Sequence, residues 1–286
     1  MKKQKKVLVT GAAGYIGRHV VKTFLDAGYE VLINDLNYKG VDQRAQIIDV
    51  PIFQENKEIY HQLKEPDILI HLAWKDGFIH NSPAHMAELS KHVIFLQDMI
   101  NGGLPSLSVM GSMHEIGYWI GKVDETTPCN PLSFYGIAKN ALRQTLLLET
   151  EKKSVSMHWL RAYYIYGDEA HGSSIFSKIA QAVEDGKKTF PFTTGKNKYD
   201  FIDVDTLAEQ ILYTSIQDEV QGIINVCSGK AVELGEQIEN FIMKHHYDIQ
   251  LEYGKYPERP YDSPAIWGDS KKIEKILGEK KHETMA

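Results

Sequence analysis

Tyr135 and Lys139 stand four residues apart in the run Phe134-Tyr-Gly-Ile-Ala-Lys139, a spacing that puts both side chains on one face of a helix. A tyrosine that gives or takes a proton at neutral pH must titrate well below its ordinary value of about 10. An ammonium one turn away stabilises its phenolate and can also hold the ribose of a nicotinamide. Among 15 tyrosines the same spacing recurs at Tyr60/Lys64 and Tyr118/Lys122, so position has to decide. Tyr135 opens a long helical stretch behind a Pro128…Pro131 turn. Upstream, an apolar strand ends in Ser108-Val-Met-Gly-Ser112, which places a hydroxyl at the C-terminal edge of a strand, where doubly wound sheets bind ligands. Tyr60 reads as the surface of a crossover helix and Tyr118 as loop.

A second set of residues suits a phosphate. Val7–Thr10 runs into Gly11-Ala-Ala13-Gly14-Tyr15-Ile16-Gly17, and an apolar-periodic helix follows. Glycines there permit a tight turn, close approach of backbone to a pyrophosphate and close packing of helix on strand, while the helix N-terminus offers free N–H groups. Alone, such a loop is as readily a plain strand-to-helix turn. The next strand, however, ends in Asp35, an acceptor for both adenosine ribose hydroxyls that repels a 2′-phosphate. Asp35 favours NAD over NADP; Asn34 and Lys39 keep NADP open. Asp49 and Val50, at the end of a third strand, are placed at the adenine, with a strand-end cap as the plainer reading of Asp49.

The elements that must position these groups alternate. Strands are expected at 7–10, 30–34, 45–50, 67–73, 104–111 and 156–164, and helices at 14–27, 83–101 and 132–151. Strands apolar on both sides and separated by helices predict an α/β fold, a doubly wound parallel sheet of Rossmann type. After about residue 167 the rhythm changes to helices near 173–185, 205–217 and 234–245 between polar segments. This gives a nucleotide-binding domain over 1–167 and a smaller C-terminal substrate lobe over 168–286, with about 199–226 returning to the first core and a loose tail over 280–286. The 286 residues carry 43% hydrophobic and 24% charged side chains and a net charge of −6, which argues against disorder and a nucleic-acid partner. Two distant cysteines, Cys129 and Cys227, fit a reducing compartment. No apolar run has membrane-spanning length, so a cytoplasmic protein is expected. No histidine–carboxylate set has metal spacing, and no metal is predicted.

With these motifs in place, the chain resembles the extended short-chain dehydrogenase/reductases, in particular the NAD-dependent epimerase/dehydratase family acting on nucleotide sugars. The resemblance rests on Thr10–Gly17, His71-Leu72-Ala73-Trp74, Ser112 five residues before Gly117, Tyr135 with Lys139, Leu160-Arg161…Tyr166-Gly167, Asp200–Asp205 and Arg259-Pro-Tyr-Asp262, almost end to end. It implies NAD held by the glycine loop, Asp35 and the Leu72–Trp74 segment. It makes Tyr135 the general acid/base, Lys139 its partner on the nicotinamide ribose, and Ser112 the hydrogen-bond donor to the reacting oxygen. It further implies a homodimer through the helices at 83–101 and 132–151.

Departures from the pattern narrow the activity. Dehydratases of this kind carry Asp-Glu after the catalytic Thr; here stand Met113 and His114, and Met113 cannot transfer a proton. His114 is either a second acid/base, since imidazole titrates near neutrality, or a histidine behind the strand. Tyr164 replaces a usual asparagine, similar to the dTDP-4-dehydrorhamnose reductase branch, and Tyr199 replaces an arginine, while Arg259 is retained as a phosphate clamp. His80 and His171 border the sugar pocket by the same resemblance; His85 and His92, seven apart on one helix face, are as readily plain structural histidines as residues of a subunit contact. The first expectation is an NAD(P)-dependent reductase of a 4-keto-6-deoxy nucleotide sugar, and the alternative is a nucleotide-sugar 4-epimerase. A non-catalytic NAD(P) sensor has no use for the Ser112/Tyr135/Lys139 set.

Overall fold

The computed structural model describes residues 4–167, 174–258 and 262–284, with side chains of the last helix through Glu279. Arg259 and His171 lie outside the described residues.

The first half builds β1 (Lys6–Thr10), α1 (Tyr15–Asp26), β2 (Glu30–Asn34), β3 (Gln46–Ile47), α2 (Ile59–Gln62), β4 (Ile68–His71), α3 (Ala84–Gly102) and β5 (Ser106–Ser112). A short 3-10 turn, Met113–Glu115, leads to β6 (Ile120–Val123), α4 (Phe134–Thr150), β7 (Ser156–Ala162) and β8 (Tyr164–Tyr166). Then follow α5 (Ile175–Glu184), β9 (Thr189–Pro191), β10 (Lys198–Asp203), α6 (Val204–Ser215), β11 (Gly222–Val226), β12 (Ala231–Glu233), α7 (Leu234–Lys244), β13 (Gln250–Glu252), β14 (Ala265–Gly268) and α8 (Lys271–Thr284).

Seven parallel strands form the main sheet in the order β11-β7-β5-β4-β1-β2-β3, a Rossmann-like arrangement. Val7, Leu8 and Val9, and Ile68, Leu69 and Ile70, are fully or nearly fully buried, because helices cover both faces. One apolar layer joins the sheet to α1 and α6, the other joins it to α3 and α4. The strand order reverses between β1 and β4, so the loops after these two strands open a crevice at their C-terminal ends.

A second sheet has the order β12-β10-β14-β6, with β8 beside β10, and its own apolar core. β10 therefore belongs to this second sheet, whereas β11 pairs with β7 in the main one. Three expectations need correction. The strand expected over 156–164 breaks at Tyr163, because Tyr164–Tyr166 leaves the main sheet to pair with Phe201–Asp203. The strand expected over 45–50 pairs only at Gln46–Ile47, because the Asn34 side chain takes the Ile48 and Val50 carbonyls, each at 2.8 Å, in place of a ladder. The tail from Lys280 is helical to Thr284, since α8 buries Ile273 and Ile276.

Candidate active site

The crevice begins at the glycine loop. Gly11 has a left-handed φ of 73°, and a Cβ on it would lie 2.6 Å from the backbone N of Ala73. The loops after β1 and β4 thus touch backbone to backbone. A Cβ on Gly17 would lie 2.1 Å from the Gly11 carbonyl oxygen, so α1 can pack on its strand only without a side chain there. Gly14 caps α1 with no side-chain hydrogen bond and no acidic residue in the first turn, so no carboxylate of that turn competes for an anion at the positive end of the dipole. Gly17→Ala is expected to cost about 1–3 kcal/mol through overpacking and to abolish saturable NAD binding in calorimetry, because only backbone is available to move.

Asp35 is half-buried at the end of β2, where Oδ2 accepts from Ala13 N at 2.8 Å and Oδ1 from Leu36 N at 2.6 Å. The first of these bonds ties the carboxylate to the glycine loop. Asp49 and Lys39 are exposed, Val50 half-buried. Leu72 and Ala73 follow β4, with Leu72 N donating to Thr10 O at 3.0 Å. A glycine cradle that a Cβ would fill, an uncapped helix start and a carboxylate at the second strand end fit a dinucleotide. Gly11, Ala13, Gly14, Tyr15, Ile16 and Gly17 would hold its diphosphate, and Asp35 its adenosine ribose.

Across the crevice, β5 delivers Ser112 and α4 delivers Tyr135 and Lys139. Ser133 caps α4 by accepting from Gly136 N, and Tyr135 N donates to His80 O at 2.9 Å, which fixes the start of the helix. Tyr135 shares a hydrogen bond with the Ser112 hydroxyl. Lys139 Nζ donates to Met110 O at 2.8 Å and lies 3.7 Å over the Trp74 ring and 5.9 Å from the Tyr135 ring. Where the Tyr135/Lys139 spacing predicts a tyrosine titrating below its ordinary value, burial instead pushes the Tyr135 phenol up to about 12, a rise that the Ser112 bond opposes and the Glu115 charge adds to. Burial likewise pulls Lys139 down to about 7. Ser112, Tyr135 and Lys139, expected from the sequence to act together, are thus brought together at the edge of the crevice.

A cavity continues outward from this cluster, lined by His80, Met113, His114, Tyr164, Tyr199 and Asp262 among others. His80 stacks on Tyr135 at 5.6 Å and 12°, and its ring lies 4.2 Å from that of His114. His114 therefore faces the cavity and not the back of the strand. Tyr164 and Tyr199 stack on each other at 4.1 Å, so the two positions that depart from the polar pattern form one aromatic wall.

Two features escaped the sequence reading. His85 and His92 do not face a subunit contact; both are 2% exposed. His92 Nδ1 meets His71 Nε2 at 2.9 Å, His71 Nδ1 meets Thr10 Oγ1 at 2.7 Å, and His85 Nδ1 accepts from Trp74 Nε1 at 3.0 Å. Burial holds His71 well below its ordinary range and His92 down at about 3, so both are neutral struts under the crevice floor. The second is Glu115, fully buried behind Ser112. Its signal was present in the spacing Ser112-x-x-Glu115, which is that of a capping box.

A Rossmann-like sheet with a dinucleotide crevice and a Ser–Tyr–Lys cluster at its edge defines the class: an NAD-dependent enzyme. Residues 7–227 match the NAD dependent epimerase/dehydratase family, and the chain belongs to that family. It is 40% identical over 269 residues to dTDP-6-deoxy-L-talose 4-dehydrogenase (NAD(+)) of Aggregatibacter actinomycetemcomitans, covering 92% of this chain and 98% of that protein. To UDP-glucose 4-epimerase of Lactobacillus helveticus it is 24% identical, covering 98% and 93%. The fold is similar to UDP-N-acetylglucosamine 4-epimerase from Methanobrevibacter ruminantium, solved with UDP-N-acetylmuramic acid, at a TM-score of 0.80 and 23% identity over 96% and 92% of the chains. It is also similar to the UDP-glucose 4-epimerase of Thermus thermophilus with NAD, at 0.79 and 20% over 96% and 93%. Among the described residues no helix is long and apolar enough to cross a membrane.

Proposed function

We propose that the protein interconverts a C4 hydroxyl and a C4 ketone on a nucleotide-linked 6-deoxyhexose. The observation that carries this reading is the 40% identity to a dTDP-6-deoxy-L-talose 4-dehydrogenase across 98% of that enzyme's length. The dehydrogenase and the ketoreductase expected from the sequence are one reaction in two directions. The chemistry that NAD supplies when bound is hydride transfer at C4. In the oxidative direction Tyr135, as phenolate, takes the proton of the C4 hydroxyl while the C4=O bond forms. In reduction it returns that proton to the C4 oxygen. Ser112 donates a hydrogen bond to the same oxygen, and the Lys139 ammonium stabilises the phenolate. Met113 lines the cavity where a carboxylate would be needed to eliminate water, which argues against dehydration. His80 and His114 line the sugar's approach, and Arg259 keeps the phosphate-clamp role that the sequence resemblance implies.

The test is cofactor stoichiometry with dTDP-linked 6-deoxy and 4-keto-6-deoxy sugars. One NADH formed or consumed per sugar converted supports the reading. Interconversion of C4 epimers with no net NADH change makes the protein a 4-epimerase, the second activity that the family's epimerase members suggest. A second copy of the chain against α3 and α4 belongs to this reading. It rests on Met86, Ile94, Ile137 and Leu148, which leave large apolar side chains exposed on these helices, and sedimentation at monomer mass would remove it.

A further inference from the structure

Glu115 is a fully buried carboxylate that the chemistry above does not use. Its Oε1 accepts from Ser112 N at 2.7 Å, while Ser112 Oγ accepts from His114 N at 3.2 Å, so the two close a reciprocal capping box over the turn after β5. Trp159 Nε1, from β7, donates to both of its oxygens at 2.9 and 3.0 Å. Arg143 Nε and Arg161 Nη2 lie 3.3 and 3.6 Å from Oε2. Arg143 sits one turn beyond Lys139 on α4, so Tyr135, Lys139 and Arg143 form one stripe of the helix. Space for the carboxylate comes from Gly111, where a Cβ would lie 2.2 Å from Trp159 Nε1 and 2.8 Å from Glu115 Oε1.

Burying a carboxylate between two guanidiniums is a poor way to gain stability, since apolar residues of equal volume usually do as well or better. We propose that Glu115, clamped by Arg143, Arg161 and Trp159, is a positioning residue that aims the Ser112 hydroxyl at Tyr135 and holds its carboxylate behind the Tyr135–Lys139 pair. This rests on the roles given above to Ser112, Tyr135 and Lys139. The titratable groups packed around the pair are His80 from the segment before α3, His85 and His92 from α3, His71 from β4, and His114 with Glu115 from the turn. Of these, Glu115 is the charge that acts on both members, raising Tyr135 and raising Lys139 against the pull of burial. The sign follows: removing the carboxylate disfavours the ammonium and favours the phenolate, so both titrations move to lower pH. Removing the Arg143 guanidinium, which lies 3.3 Å from that carboxylate and offsets its charge, is expected to act in the opposite sense.

The test uses the full-length protein labelled with 13C at lysine Cε, with the Lys139 signal assigned by its loss in Lys139→Met. Glu115→Gln is expected to lower the Lys139 midpoint by about one pH unit and Arg143→Met to raise it. In turnover, Glu115→Gln is expected to lower kcat by on the order of 10–100-fold with KM little changed, as suits a misplaced hydroxyl, and Glu115→Asp to restore part of it. Midpoints that stay at the wild-type value in both variants overturn the proposal, as does a kcat loss that follows melting temperature equally in Gln and Asp. If Glu115→Gln does not fold, Arg143→Met decides alone. The nuclear magnetic resonance titration needs no substrate. A Tyr135→Phe variant with full activity would therefore remove the C4 oxidoreductase reading without touching this result.

Discussion

Tyr135→Phe lowers kcat by on the order of 10²–10⁴-fold, the range over which a positioned acid/base acts, and leaves NAD binding and melting temperature close to wild type. The phenol oxygen is the one atom removed, and the ring contacts with His80, Trp74 and His85 persist. The pH dependence carries a sign. With the phenol pushed up to about 12 by burial, phenolate is scarce at neutral pH. The oxidative rate therefore rises with pH, while the reductive rate, which needs the protonated phenol, does not. Steady-state rates in both directions from pH 6 to 10 check this. Full activity in Tyr135→Phe, or an oxidative rate that falls with pH, removes the tyrosine from the reaction.

Lys139→Met is expected to abolish turnover and at the same time make the protein without NAD more stable. A lysine whose midpoint falls from 10.5 in the unfolded chain to about 7 in the folded one loses its proton on folding. Between those two values the unfolded chain binds the extra proton, so wild-type stability rises with pH across this window. Below about pH 7 the burden is felt in full, and above 10.5 it is gone. Methionine carries no such burden. After allowance for the lost bond to Met110 O and the lost contact with Trp74, the variant gains about 2–4 kcal/mol at pH 7. That advantage shrinks steadily toward pH 10. Urea unfolding of both proteins at several pH values measures it, and a constant difference would show that Lys139 is not depressed. The lysine is then a case of stability given up for function.

The parts of the fold legible in the sequence are those whose physics is local. β1, β2, β4 and β5 are short apolar runs because both faces are covered, and the glycine loop announces itself through turns that a Cβ would block. The pairing of Ser112 with Tyr135 and Lys139 followed from the end of one strand and the start of one helix. The second sheet was not legible. Its strand Ala231–Glu233, and the strands Thr189–Pro191 and Gln250–Glu252 that pair with each other in a separate two-stranded sheet, are three residues each and largely exposed, so they carry neither run nor alternation. His85 and His92 misled for another reason. Their spacing on α3 reports one face, but not that the face packs against Trp74 and His71 inside the same chain. Glu115 was visible as a capping-box partner of Ser112, yet its guanidinium neighbours come from α4 and β7, 28 and 46 residues downstream, and only the folded chain joins them.

The stacked pair Tyr164 and Tyr199 has a consequence for how such a pocket changes over evolutionary time. The rings come from different strands and cover each other at 4.1 Å. Exchanging either one for a polar residue leaves its neighbour facing a void and brings a polar group against an aromatic surface, so each single step is worse than both end points. An ancestor with a polar pair and a descendant with this aromatic pair are separated by a valley that neutral drift at one codon does not cross. The two positions should change together or not at all, and a lineage that has crossed is held there by its own packing, whatever substrate it later meets.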